Sequence, residues 1–230
     1  MNDLHLFLLI GQSNMAGRAE IEEQDKAPPD RVCLLNDKDE WEPATNPLNR
    51  YSTIRKDLSM QRLGPGYTFA KSVAATKPDA TLGLIVNPRG GSSVDEWVKG
   101  SEYYTEAVRR TRTAQESGTL KAILWHQGES DRHQADQYIM KLTQFIHDLR
   151  ADLDAADVPF IAGEIGYFVE NAEPVNKEII RLPAQVPMTD CVSAEGLTDS
   201  GDAMHFGPQA QRTLGERYAE KVLQMVYGGP

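Results

Sequence analysis

Short, nearly unbroken runs of Leu, Ile and Val recur along this chain, each followed by a longer stretch with helical spacing, and this alternation constrains the fold more than any other feature. Residues 4–10, 32–35, 81–86, 122–125 and 158–162 are apolar at almost every position. That is the pattern of strands covered on both faces, not of strands with one face in water. Residues 67–76, 103–116, 135–153 and 208–226 are long and periodic enough for helices. In the third of these, Tyr138, Leu142, Phe145, Ile146 and Leu149 fall on one face. Repeated strand-then-helix order predicts an α/β fold, a parallel sheet with helices packed on both sides. Ligands of such sheets sit beyond the carboxyl ends of the strands, so chemistry is expected in the segments just after each strand.

Two segments break the alternation. Residues 17–61 carry Pro28, Pro29, Pro43 and Pro47 around a single clear strand, as a functional loop or lid would. Residues 171–187 are rich in proline and charge, with room for a short helix at 175–182. No repeat or linker divides the chain, so one domain over residues 1–230 is expected. Lys and Arg number 24 against 34 Asp and Glu, a net charge of 24 − 34 = −10, which argues against nucleic acid as a partner. The apolar run at 4–10 is too short to span a bilayer or to serve as the core of a secretory signal, so a cytoplasmic protein without membrane contact is expected. Cys33 and Cys191 stand singly in apolar surroundings, which suits buried reduced thiols better than a disulfide framework or a metal site.

Polar groups gather where the first, third and fourth runs end. Gly11-Gln12-Ser13-Asn14-Met15-Ala16-Gly17 places a serine in a glycine-flanked turn, either to present its hydroxyl above the sheet edge or simply to cap the next helix. It is neither a G-x-S-x-G elbow nor a phosphate loop. Gly90-Gly91-Ser92-Ser93 lets the backbone turn sharply and aim an N–H into a site, although a plain strand-to-helix turn would use the same residues. His126-Gln127-Gly128-Glu129-Ser130-Asp131, with His133, is harder to explain by folding needs, but the spacing does not match a zinc motif and no metal is expected. Near the C-terminus, Asp202 stands three residues before His205, close enough to accept an imidazole proton, or else both are ordinary surface residues of a loop. Serine, oxyanion donor and Asp–His pair together fill the roles of a serine hydrolase.

These four motifs, in this order from residue 11 to residue 206, resemble the SGNH (GDSL-like) hydrolases, and within them the sialate O-acetylesterase and acetylxylan esterase group, carbohydrate esterase family six. The resemblance implies a flavodoxin-like three-layer α/β/α fold around a five-stranded parallel sheet, with no cofactor. It implies Ser13 as nucleophile, His205 as general base and then acid, and Asp202 as the residue that orients it. The oxyanion hole would combine the backbone N–H of Ser13, one from the Gly90-Gly91 pair and the side-chain amide of Gln127, where broader SGNH enzymes carry asparagine. Glu129 is close enough in sequence to be an alternative acid or to support the site. The expected reaction is removal of O-acetyl groups from a small-molecule or oligosaccharide ester through an acyl-enzyme. A small-ester or thioester hydrolase and a non-catalytic glycan-binding module are the alternatives on the same scaffold. Trp97, with Trp41 and Tyr51 behind it, is a candidate sugar platform, and Arg89 a candidate contact to an anionic or hydroxyl-rich ligand. The net negative charge favours neutral acetylated sugars such as xylan fragments unless a local cation offsets it.

Overall fold

The computed structural model describes residues 3–229. A single seven-stranded sheet runs in the order β3-β2-β4-β1-β5-β6-β7. Its strands are β1 (Leu4–Gly11), β2 (Val32–Leu35), β3 (Trp41–Pro43), β4 (Leu82–Val86), β5 (Gly118–His126), β6 (Phe160–Gly163) and β7 (Thr189–Val192). All neighbours pair in parallel except β3, which returns antiparallel beside β2. Every apolar run singled out in the sequence overlaps a strand of this sheet, with Thr81, Val158 and Pro159 lying just before β4 and β6, but the sheet has two more strands than the five expected. Both extra strands are edges: β3 is three partly exposed residues ending in proline, and β7 begins Thr-Asp-Cys with its centre half-exposed. Neither shows the continuous apolar run that marks a strand covered on both faces.

Helices cover both faces. α1 (Ser13–Ala16) is a single turn directly after β1, and α2 (Pro65–Thr76), α3 (Glu102–Gln115), α4 (Ala135–Asp152), α5 (Ala172–Gln185) and α6 (Pro208–Tyr227) follow in chain order. β1 shows why the central strands are apolar throughout: Leu6, Leu8 and Ile10 enter the core beneath α3, α4 and α5, while Phe7 and Leu9 enter the core beneath α2 and α6. At its end Gly11, with φ of +123°, passes so close to β5 that a Cβ would overlap the His126 carbonyl. The chain runs from β1 outward to β2 and β4, then crosses to β5 on the other side of β1. The carboxyl ends of β4, β1 and β5 therefore meet at the reversal of strand order, where open α/β sheets form their crevice. Both cysteines are free and partly exposed, Cys33 on β2 and Cys191 on β7, so they are less buried than expected. Among the described residues no helix is long and apolar enough to cross a membrane.

Candidate active site

Ser13 is the first residue of α1, and Gln12 holds the capping position before it, with no side-chain cap bond. The serine is thus not spent on capping. Its Oγ lies 3.1 Å from His205 Nε2, and His205 Nδ1 lies 2.6 Å from Asp202 Oδ2. The other oxygen of Asp202 accepts the backbone N–H groups of Met204 (2.9 Å) and His205 (2.8 Å), closing a tight turn through Ala203, whose φ is 54°. Three-residue spacing is what lets a carboxylate grip both the backbone and the ring of one histidine. Partial desolvation pushes the Asp202 carboxyl up, but hydrogen bonds from the His205 ring and from the two backbone N–H groups outweigh it and bring it down to about 2.

These residues open onto a cleft of about 300 Å³ at the strand reversal. Gly90 and Gly91 form its far wall, in a turn fixed to β1 by the Arg89 N–H bonded to Gly11 O at 2.9 Å. Gly91 has φ of +76°, and among the described residues neither glycine N–H donates to a protein acceptor. Glu129 lines the cleft, yet it is only 1% exposed and its Oε1 accepts from Asn14 Nδ2, while Oε2 has no partner among the described residues. Burial raises its carboxyl to about 7, with the Asn14 hydrogen bond opposing the rise. No hydrogen bond joins Glu129 to His205 among the described residues, so Asp202 alone occupies the position behind the imidazole.

Three sequence-based assignments need correction. Gln127 is fully buried and its amide nitrogen faces Ser92 O (2.9 Å), Gln12 Oε1 (3.1 Å) and Asp131 Oδ2, so its two protons are taken up within the protein and do not face the cleft. It works from behind: Gln12 Oε1, which also receives Gly128 and Ser130 N–H at 3.4 and 3.3 Å, is held at the cleft wall. Trp97 is no sugar platform, because it is fully buried, donates Nε1–H to Ser92 Oγ at 2.9 Å and packs edge-on against Trp125. Arg89 turns away, donating to Ile54 O at 3.0 Å and lying over the Tyr103 ring. Trp41 packs on Gly83 of β4, and Tyr51 bonds Glu42.

In their place stand three cations that the sequence reading did not select: Arg18, Lys56 and Arg132 all line the cleft. Arg18 donates to Gly17 O at 2.7 Å and Arg132 to Glu129 O, and none of the three has a carboxylate in ion-pair range among the described residues. Arg18 and Arg132 adjoin the motifs at Gly17 and Asp131, a signal that could have found them. Lys56 comes from the irregular 17–61 segment, which also contributes Arg18 and Met60 to the cleft lining, and carries no local mark. Among the described residues no three His, Cys, Asp or Glu side chains converge as metal ligands would.

Comparison with known proteins bears on the family and the fold. The family model described as carbohydrate esterase, sialic acid-specific acetylesterase, matches residues 3–224. A probable carbohydrate esterase of Arabidopsis thaliana is 32% identical over 241 residues, covering 95% of this chain and 90% of its own length. The X-ray structure of an Arabidopsis thaliana protein superposes with a TM-score of 0.89 at 30% identity, over 97% of this chain and 99% of that one. A carbohydrate acetylesterase from Xanthomonas citri shares the fold at 19% identity, with a TM-score of 0.73 over 97% of this chain and 57% of its own.

Proposed function

The chain belongs to the sialic acid-specific acetylesterase family of carbohydrate esterases, and we propose that this carbohydrate acetylesterase works through an acyl-enzyme on Ser13, preferring acetylated sugars that carry negative charge. The observation behind the mechanism is the hydrogen-bonded line from Asp202 through His205 to Ser13 Oγ, with steps of 2.6 and 3.1 Å. A serine hydroxyl is almost wholly protonated at neutral pH, and the neutral imidazole removes its proton as Oγ attacks the ester carbonyl. Asp202 holds the ring with Nδ1 protonated, so that Nε2 offers its lone pair to the serine, and it then stabilises the imidazolium. Charge developing on the carbonyl oxygen meets the backbone N–H groups of Ser13 and the Gly90-Gly91 turn, each worth about 2.7–4 kcal/mol of barrier in comparable sites. His205 next protonates the departing sugar oxygen. Water repeats the sequence and releases acetate.

The preference for charge rests on Arg18, Lys56 and Arg132. The overall charge of −10 repels anions at long range, but salt screens that field beyond about 8 Å. A cation 4 Å from a carboxylate contributes about 1–4 kcal/mol between the water and near-surface limits. The local cations therefore decide, and they favour a sugar acid over the neutral xylan fragment that net charge alone suggested. The test is acetate release from acetylated sialic acids, acetylated uronic acids and acetylated neutral xylo-oligosaccharides, by the wild type, Ser13→Ala and Arg18→Gln. Ser13→Ala is expected to be inactive on all, and retained turnover overturns the mechanism. Arg18→Gln is expected to lose about tenfold in kcat/KM on the acidic esters only. An equal loss on neutral esters overturns the charge preference.

A further inference from the structure

The residue after the nucleophile has no role in the reaction just described, yet it is fully buried, with both side-chain polar atoms and its backbone carbonyl hydrogen-bonded. Asn14 Nδ2 donates to Glu129 Oε1 and to Met204 O at 3.2 Å, and Oδ1 accepts from Phe206 N–H at 3.1 Å. Its backbone carbonyl accepts from Gln211 Nε2 of α6 at 3.2 Å. Met204 and Phe206 are the neighbours of His205 on either side. We propose that Asn14 is a positioning residue that sets the His205 imidazole against Ser13 by gripping the peptide groups flanking the histidine, with Glu129 as its anchor.

The other hydrogen bonds of the histidine loop are internal. Asp199 bonds Gly201 and Ala203, Asp202 bonds Met204 and His205, and Ser200 N–H bonds His205 O at 2.8 Å. These stiffen the loop but do not tie it to α1, 192 residues away in sequence. Among the described residues, the hydrogen bonds that join residues 199–206 to the nucleophile turn are those of Asn14 and the Ser13–His205 pair itself. Phe206 adds packing against His126 and Phe168, which holds the loop down without setting its register along α1. The orientation of the Asn14 amide is determined by its surroundings, since two acceptors face Nδ2 and one donor faces Oδ1. Glu129 takes the Nδ2 proton that does not point at Met204, so it fixes the rotation of the amide about its side chain. Serine, clamp and backbone grip thus lie on adjacent residues. A shift of about 1 Å in the reacting pair can cost about 10² in rate.

The inference rests on the serine mechanism above, and the experiment separates the two. Asn14→Ala, Glu129→Ala and Glu129→Gln are titrated to completion with a fluorophosphonate, and kcat and KM for an aryl acetate are expressed per titrated site, while Ser13→Ala, which has no hydroxyl to label, is assayed per mole of folded protein. Counting sites removes any loss through misfolding. Asn14→Ala is expected to lose about 10² in kcat per site with KM within about threefold of wild type. Glu129→Ala is expected to fall likewise, and Glu129→Gln, which keeps an oxygen for Asn14 to donate to, to recover most of that loss. If Asn14→Ala has wild-type kcat per titrated site, the clamp is wrong while the serine mechanism stands. If Glu129→Gln is no better than Glu129→Ala, Glu129 is not the anchor. Turnover by Ser13→Ala overturns the serine mechanism itself.

Discussion

Replacing Glu129 by glutamine is expected to change how stability responds to pH, in a direction and amount that follow from burial. The carboxyl titrates near 4.5 in the open chain and near 7 in the folded protein, because burial penalises its charged form. Between these values the folded state holds a proton that the unfolded state has released. Stability therefore falls as pH rises from about 4.5 and levels off above about 7. Integrating the linkage between pH 5 and pH 8 gives a loss of about 2–3 kcal/mol attributable to this one group. The glutamine side chain is neutral throughout, so the stability difference between the Glu129→Gln variant and wild type should shift toward the variant by about that amount across the interval. Urea unfolding of both proteins at several pH values measures it, with other titrating groups cancelling in the difference. A difference that stays constant to within about 0.5 kcal/mol from pH 5 to pH 8 refutes the argument, since it means that Glu129 does not hold a raised titration in the folded state.

Two further perturbations have outcomes set by the geometry. Asp202→Asn can turn an amide N–H toward Nδ1 and so place the ring proton on Nε2, facing Ser13; kcat is expected to fall by about 10²–10⁴ with little change in unfolding midpoint, and near-wild-type kcat would contradict the assigned tautomer. Gly11→Ala forces a side chain into a left-handed conformation against the His126 carbonyl at the join of β1 and β5. It should destabilise by at least about 2 kcal/mol in urea, and an unchanged midpoint would show that the strands separate there without cost.

How far the sequence could be read differs from element to element. Residues 4–10 and 82–86 declare themselves because a strand between two helical layers must be apolar on both faces, and that demand is written position by position. Strands β3 and β7 escaped because an edge strand meets a helix layer on less of its surface. The turn carrying Ser13, the glycine pair and the Asp–His contact were legible as geometry because each is a local device: a turn after a strand, a flexible backbone, a carboxylate within reach of a ring three residues on. Trp97 was misplaced because an indole beside a motif looks the same in sequence whether it faces a sugar or, as here, Ser92 Oγ and Trp125. Gln127 was misplaced for a related reason, since an amide of the right type sits one layer behind the wall that Gln12 forms.

The sequence by itself therefore determined the layering of the fold and the chemical groups available at each strand end, since burial and turn chemistry act over a few residues. The tertiary structure decided which groups face one another across the strand reversal: Ser13 with His205, Asn14 with the peptides around it, and Arg18, Lys56 and Arg132 around one cleft. Those meetings depend on the crossing from β4 to β5 and on the close passage of β1 beside β5, which join residues far apart in the chain and leave no periodicity along it.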